Sequence, residues 1–156
     1  MSLKRLPAAM ILTLVLITVP KVAFSHCEIP CGIYHDSLRF EMLAEHIETI
    51  EKSIHEIGHL SAEGEKNYNQ LVRWVMNKED HADKFMEVVE QYFMHQRIKP
   101  VEPTDAANYE HYVKLVTVSH QMLVTAMKCK QSVDEQNPAE LTSLLNEFKT
   151  LYFEKK

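Results

Sequence analysis

Glycine and cysteine are both scarce in this sequence, at 3 residues each in 156. Tight turns and bulges in sheet-rich folds draw on glycine, so its scarcity leans the chain toward helix. Three cysteines exclude a disulfide-dense miniprotein, and no collagen-like or low-complexity bias is present. Basic charge is short as well. Lys and Arg number 17 against 22 Asp and Glu, a net charge of −5. That balance argues against nucleic acid as a partner, because phosphate needs a basic face. What remains, with 46% hydrophobic and 25% charged residues, is the composition of an ordinary globular protein of one domain.

The first 25 residues read as an address. Lys4 and Arg5 form a positive start, Ala8–Val19 is an apolar run, and Pro20 ends it. Ala23-Phe24-Ser25 supplies small residues at the −3 and −1 positions of a cleavage site, the layout of a secretory signal peptide. The run is shorter than the roughly 20 apolar residues that span a bilayer. An uncleaved anchor or a pro-segment of another kind is the alternative. The expected domains are therefore 1–25, removed by a processing protease, and 26–156. The expected destination is periplasmic, extracellular or lumenal, or cytoplasmic if 1–25 is a pro-segment. Losing Lys4, Arg5 and Lys21 leaves 14 basic residues against 22 acidic, a charge of −8. An anionic surface disfavours anionic lipid as well as nucleic acid, and an anionic substrate then needs local positive charge.

Beyond Asp36 no convincing two-residue alternation occurs, and the apolar residues fall at helical spacing. Leu43, Ile47, Ile50, Ile54 and Ile57 alternate gaps of four and three, a coiled-coil-type seam, with Asp36 or Ser37 as cap. Tyr68, Val72, Val75, Ala82, Phe85, Val89 and Phe93 mark a second helix, stopped by Pro100 and Pro103. Thr104 or Asp105 can cap a third, with Tyr109, Tyr112, Val116, Leu123 and Met127 on one face. Asn137-Pro138-Ala139-Glu140 is a start signal for a fourth, whose stripe is Leu141, Leu144, Leu145, Phe148 and Tyr152. The pattern predicts an all-α fold, an antiparallel four-helix bundle.

Cleavage after Ser25 would expose His26-Cys27-Glu28-Ile29-Pro30-Cys31-Gly32-Ile33-Tyr34. A free His26 followed by Cys27 offers an α-amine, an imidazole, an amide nitrogen and a thiolate. Amine, amide nitrogen and thiolate close two fused five-membered chelate rings, and a turn through Ile29-Pro30 can bring Cys31 to a fourth corner. Two nitrogens and two sulfurs in a plane suit Ni(II) or Cu(II) better than zinc, which prefers a tetrahedron. Amide and thiolate donors favour a higher oxidation state, so the pattern suggests redox chemistry. In an exported protein Cys27 and Cys31 can instead form a local disulfide. Cys129 has no partner in either reading and is read as a bystander thiol.

HCEIPCGIY resembles the nickel hook of nickel-containing superoxide dismutases, H-C-x-x-P-C-G-x-Y, at His26, Cys27, Pro30, Cys31, Gly32 and Tyr34. The mature length, the helical pattern and the segment Asn69–Val75 are similar to that family too. The resemblance implies one nickel ion per subunit held by His26, Cys27 and Cys31, superoxide as substrate, and a homohexamer of four-helix bundles. It implies dismutation to dioxygen and hydrogen peroxide with nickel alternating between Ni(II) and Ni(III). It places Tyr34 over the open face of the metal. Tyr92, in Gln91-Tyr92-Phe93, resembles a second tyrosine that partners it. Glu41, in Arg39-Phe40-Glu41, resembles the acid behind the N-terminal imidazole, although its spacing from Tyr34 is one residue shorter than in some members. A carboxylate in that place fixes the ring and raises ligand basicity. Arg73 is a source of positive charge near the hook, and His81 stands where some members carry an arginine.

His55-Glu56-Ile57-Gly58-His59 fits H-E-x-x-H, the helical zinc-protease pattern. The seam uses Ile54 and Ile57, so His55 and His59 fall on its solvated flank, and no third ligand follows at the extended spacing. The reading that competes with a dismutase is a non-catalytic secreted helical bundle that binds metal at its N-terminus.

Overall fold

A computed structural model describes residues 35–154, so the leader 1–25 and the hook 26–34 lie outside the described residues. The described chain forms helix α1 (Asp36–Ala62), a short 3-10 turn (Glu65–Asn67), α2 (Tyr68–Glu87), a π-helical continuation of α2 (Val88–Arg97), α3 (Ala106–Gln131) and α4 (Gln136–Phe153). No strand occurs among the described residues. Gly64 turns the chain after α1 at φ +79°, a conformation that L side chains rarely adopt.

Side-chain pairs give the direction of each helix. Asp36, His46 and Ser53 along α1 meet Tyr92, His81 and Asn77, in descending order, along α2 and its continuation. Asp36 and His55 meet Tyr152 and Glu135, again in reverse order, at the two ends of α4. Consecutive helices run antiparallel, and α4 returns to close against α1. This is the expected four-helix bundle.

Its core is mainly apolar, with Ser53, Lys78, Ser119 and Thr125 buried among the described residues. Leu43, Ile47, Ile50, Ile54 and Ile57 are all buried, as their spacing predicts. Phe40, Phe93 and Phe148 form an aromatic knot at the α1 start, with ring centroids 4.9 to 5.6 Å apart. Lys78, buried on α2, donates to the Lys130 carbonyl at 2.7 Å and the Ser132 carbonyl at 2.9 Å. A cation there satisfies the open C-terminal end of α3 and ties it to α2.

Three expectations need correction. Tyr68, Val72 and Val75, read as part of the second stripe, are exposed, and only Ala82 onward is core. On α3 the buried face is Leu115, Val118, Met122, Ala126 and Cys129. Tyr109, Tyr112, Val116 and Leu123 flank it half-buried and Met127 is exposed. Apolar residues line both sides of that helix, so periodicity alone did not separate core from flank. Finally, α4 starts before Asn137. Asp134 accepts from the Gln136 amide at 3.0 Å, while the Asn137 side chain turns back to Ser132 at 2.9 Å. Asp105, by contrast, caps α3 as expected, accepting from the Asn108 amide.

Candidate metal centre

The structure describes the chain from His35, the residue after Tyr34. Asp36 is the first residue of α1, and its carboxylate gathers groups from two other elements. Tyr92 donates its phenol to Asp36 Oδ1 at 2.5 Å, and Tyr152 donates to Oδ2 at 3.0 Å. Arg97 Nη2 lies 2.8 Å from Oδ1. Arg97 also donates to the Tyr92 phenol oxygen, from Nη2 at 2.9 Å and Nε at 3.2 Å. The guanidinium carbons of Arg39 and Arg97 each lie 5.0 Å from the centroid of the Tyr92 ring, within cation–π range.

Local winding makes this cluster possible. Residues five apart on an α-helix point about 140° away from each other. Between Tyr92 and Arg97 the helix is π-wound, as the Ile98 amide to Phe93 carbonyl bond of 2.8 Å shows. The wider turn brings Tyr92 and Arg97 to one face. Single π turns inside α-helices are frequent at functional sites. An open groove of about 620 Å³ adjoins the cluster, lined by Asp36, Arg97, Lys99, His111, Tyr112 and Tyr152 among others.

The charges are mutually set. Burial works against an ionised Asp36, but the hydrogen bonds from Tyr92 and Tyr152 and the Arg97 charge outweigh it and hold the carboxyl below the usual range. Burial, and then the hydrogen bond to Asp36, push the Tyr92 phenol up; Arg97 opposes them. Tyr152 is driven up by the same two causes, more strongly. At neutral pH the cluster is one carboxylate, one guanidinium and two neutral phenols.

Of the residues singled out in the sequence, Tyr92 is buried in this cluster. Glu41 is exposed on α1. Arg73 is exposed on α2 beside a second groove of about 530 Å³, with Glu48, Lys52 and Trp74. Nineteen positions of helix separate Arg73 from Tyr92, roughly 25–30 Å at 1.5 Å per residue. Among the described residues, the arginines beside the Tyr92 ring are Arg39 and Arg97. His81 pairs with His46, Nδ1 to Nδ1 at 3.1 Å, between α1 and α2. His26, Cys27, Cys31 and Tyr34 lie outside the described residues.

Asp36, Arg97 and Tyr152 were not found from the sequence. Asp36 looked like a helix cap and Tyr152 like a core stripe residue, while the π winding that recruits Arg97 left no periodic trace. His55 and His59 are exposed, 3.7 Å from Glu135 and Glu63 respectively, on the solvated flank that the seam implied. Among the described residues no group of three or more His, Cys, Asp or Glu is placed to hold a metal ion, and Cys129 is a buried free thiol. The residues expected to hold nickel, His26, Cys27 and Cys31, lie outside the described residues. Their amine, amide, imidazole and thiolates have the chemistry that nickel takes.

No curated protein and no solved structure matches the chain. A family model described as nickel-containing superoxide dismutase matches residues 21–156, across all four helices and the HCEIPCGIY segment. On that match the chain belongs to the nickel-containing superoxide dismutase family, whose members are nickel-dependent oxidoreductases.

Proposed function

We propose that this protein is an exported superoxide dismutase that becomes competent when residues 1–25 are removed and His26 becomes the N-terminus. The observation that carries the reading is the position of HCEIPCGIY directly after a segment laid out like a signal peptide, in a chain that matches the family over 21–156. His26, through its amine and imidazole, Cys27, through its amide nitrogen and thiolate, and Cys31, through its thiolate, hold the metal. Bound by these residues, nickel would supply one-electron exchange with superoxide through its Ni(II) and Ni(III) states.

The reaction consumes two superoxide anions and two protons and yields dioxygen and hydrogen peroxide. The chain must deliver those protons and admit only small anions. By the family resemblance, Tyr34 Oη would donate a hydrogen bond to the substrate anion, with water or a ligand thiolate completing proton delivery. The Glu41 carboxylate orients the His26 imidazole through its second ring nitrogen. Cys27 and Cys31 need shielding from the peroxide formed beside them, because exposed thiolates climb to sulfenic and sulfinic acids. Assembly into a homohexamer would cover them. Processing by a protease that accepts Ala23-Phe24-Ser25 precedes all of this.

The test is the state of the purified chain. Expression with the leader in an exporting host should give a mature N-terminus at His26 by mass spectrometry and one nickel ion per subunit. A mature chain that starts elsewhere lacks the amine ligand and overturns the ligand set. A chain that starts at His26 and carries nickel without turnover is the metal-binding bundle instead.

A further inference from the structure

His46 on α1 and His81 on α2 face each other, Nδ1 to Nδ1 at 3.1 Å, with the rings edge to face and their centroids 5.1 Å apart. Both are half-buried. Among the described residues no other hydrogen bond reaches either ring, so each imidazole can carry its proton on Nε2 and present a free Nδ1 lone pair to the other. Two lone pairs at that distance repel unless a proton or a metal ion lies between them. A divalent ion bound to two imidazoles at about 2.0–2.1 Å sets their nitrogens about 2.9 Å apart at a right angle and about 3.3 Å apart at the tetrahedral angle. The observed separation falls between the two. An acid precedes each ring in sequence, Glu45 before His46 and Asp80 before His81. Both carboxylates favour positive charge at His46, while His81 and Lys84 oppose it. The Lys84 ammonium is itself bonded to Asp80 at 2.6 Å.

We propose that His46 and His81 are the two protein ligands of a further transition-metal site, which takes an imidazole-preferring divalent ion, Zn(II) or Cu(II), through both Nδ1 atoms and completes its coordination with water. Neutral imidazole suits these ions, and two protein donors leave positions open for solvent. The pair has no amide or thiolate donor, so it differs in kind from the set expected to hold nickel, and the inference stands whether or not the chain dismutes superoxide. An ion held here clamps α1 to α2. It binds the folded chain, where the two rings meet across 35 residues of sequence, and so stabilises the fold by mass action.

The experiment adds Zn(II) to the mature, nickel-loaded protein. Calorimetry should show one zinc bound per subunit while metal analysis shows the nickel retained, and the urea midpoint should rise with zinc. Imidazole nitrogen NMR should place the change at Nδ1 of His46 and His81. His46→Gln and His81→Gln should each weaken zinc binding by at least about tenfold, the least that losing even a hydrogen-bond partner of a metal ligand costs, and should abolish the rise in midpoint. A chain with Cys27→Ala and Cys31→Ala should keep the zinc signal at His46 and His81, which separates the pair from the hook. A chain with His55→Gln and His59→Gln should keep it too, which separates the pair from the exposed histidines of α1. No zinc uptake, or uptake that H46Q and H81Q leave unchanged, overturns the proposal and leaves the pair an N–H···N hydrogen bond. If neither variant folds, the wild-type spectrum carries the test, and Nδ1 signals that zinc does not move overturn it.

Discussion

Tyr92 and Asp36 are joined by a 2.5 Å hydrogen bond across 56 residues of sequence, at the end of the bundle where α1 begins. The bond is anchored on both sides, by Arg97 at the phenol oxygen and by Tyr152 at the carboxylate. Removing the Tyr92 hydroxyl leaves a partly buried carboxylate and guanidinium with fewer partners. Tyr92→Phe should therefore lose about 1–3 kcal/mol of stability, read from urea unfolding. A loss below about 0.5 kcal/mol, the size of an ordinary surface change, would mean that water replaces the phenol at no cost.

Lys78 gives a second expectation. Its ammonium is buried and hydrogen-bonded to the carbonyls of Lys130 and Ser132. Burial depresses its pKa, with Glu79 opposing. Lys78→Met keeps the stem and removes the donors, leaving two carbonyls at the end of α3 without them. The expected cost is about 2 kcal/mol in urea unfolding, from hydrogen bonds made by a charged donor. An unchanged midpoint would show that solvent reaches those carbonyls.

The His46–His81 pair makes stability depend on pH. Burial, then the neighbouring His81 and Lys84, depress the His46 pKa below 6.5, against Glu45 and Asp80. The folded state thus binds the proton less readily than the unfolded chain. Stability is at its full value above about pH 6.5 and is lost as pH falls from there toward the folded pKa. His46→Gln should flatten that acid decline in urea midpoints measured through this window. A decline of the same slope in the variant would assign it to other groups.

Cys129 is fully buried, and burial pushes its thiol up to about 11. A protonated, enclosed thiol is a poor nucleophile and a poor ligand. In the folded, nickel-loaded protein it should resist iodoacetamide at pH 8 and become alkylated only with unfolding. Cys129→Ala should leave nickel content unchanged and cost stability through the lost packing. Rapid alkylation of the native protein, or loss of nickel in the variant, would contradict a purely core role.

The α1 seam was legible in the sequence because one helix face carries isoleucine and leucine and the other carries charge. So was the order of four helices, since Pro100, Pro103, Asp105 and Pro138 punctuate them. The α3 face was not, because Tyr109, Tyr112 and Val116 supply an apolar strip beside the true core of Leu115, Val118 and Met122. At the candidate site, Tyr92 was reached through the family resemblance of Gln91-Tyr92-Phe93. Asp36, Arg97 and Tyr152 escaped because their union depends on a π turn and on a contact between residues 116 apart in sequence. Neither leaves a local pattern that periodicity can read.

A free His26 is proposed to make this chain a nickel-dependent dismutase. This is tested most directly by measuring superoxide dismutation for the chain beginning at His26 and for the same chain with one residue added ahead of it. Each is reconstituted with nickel, copper or zinc. Turnover is expected only with nickel and only with His26 free, at least a hundredfold above the extended chain, about 3 kcal/mol in transition-state stabilisation. Equal turnover in the two chains, or turnover with copper in place of nickel, would contradict it.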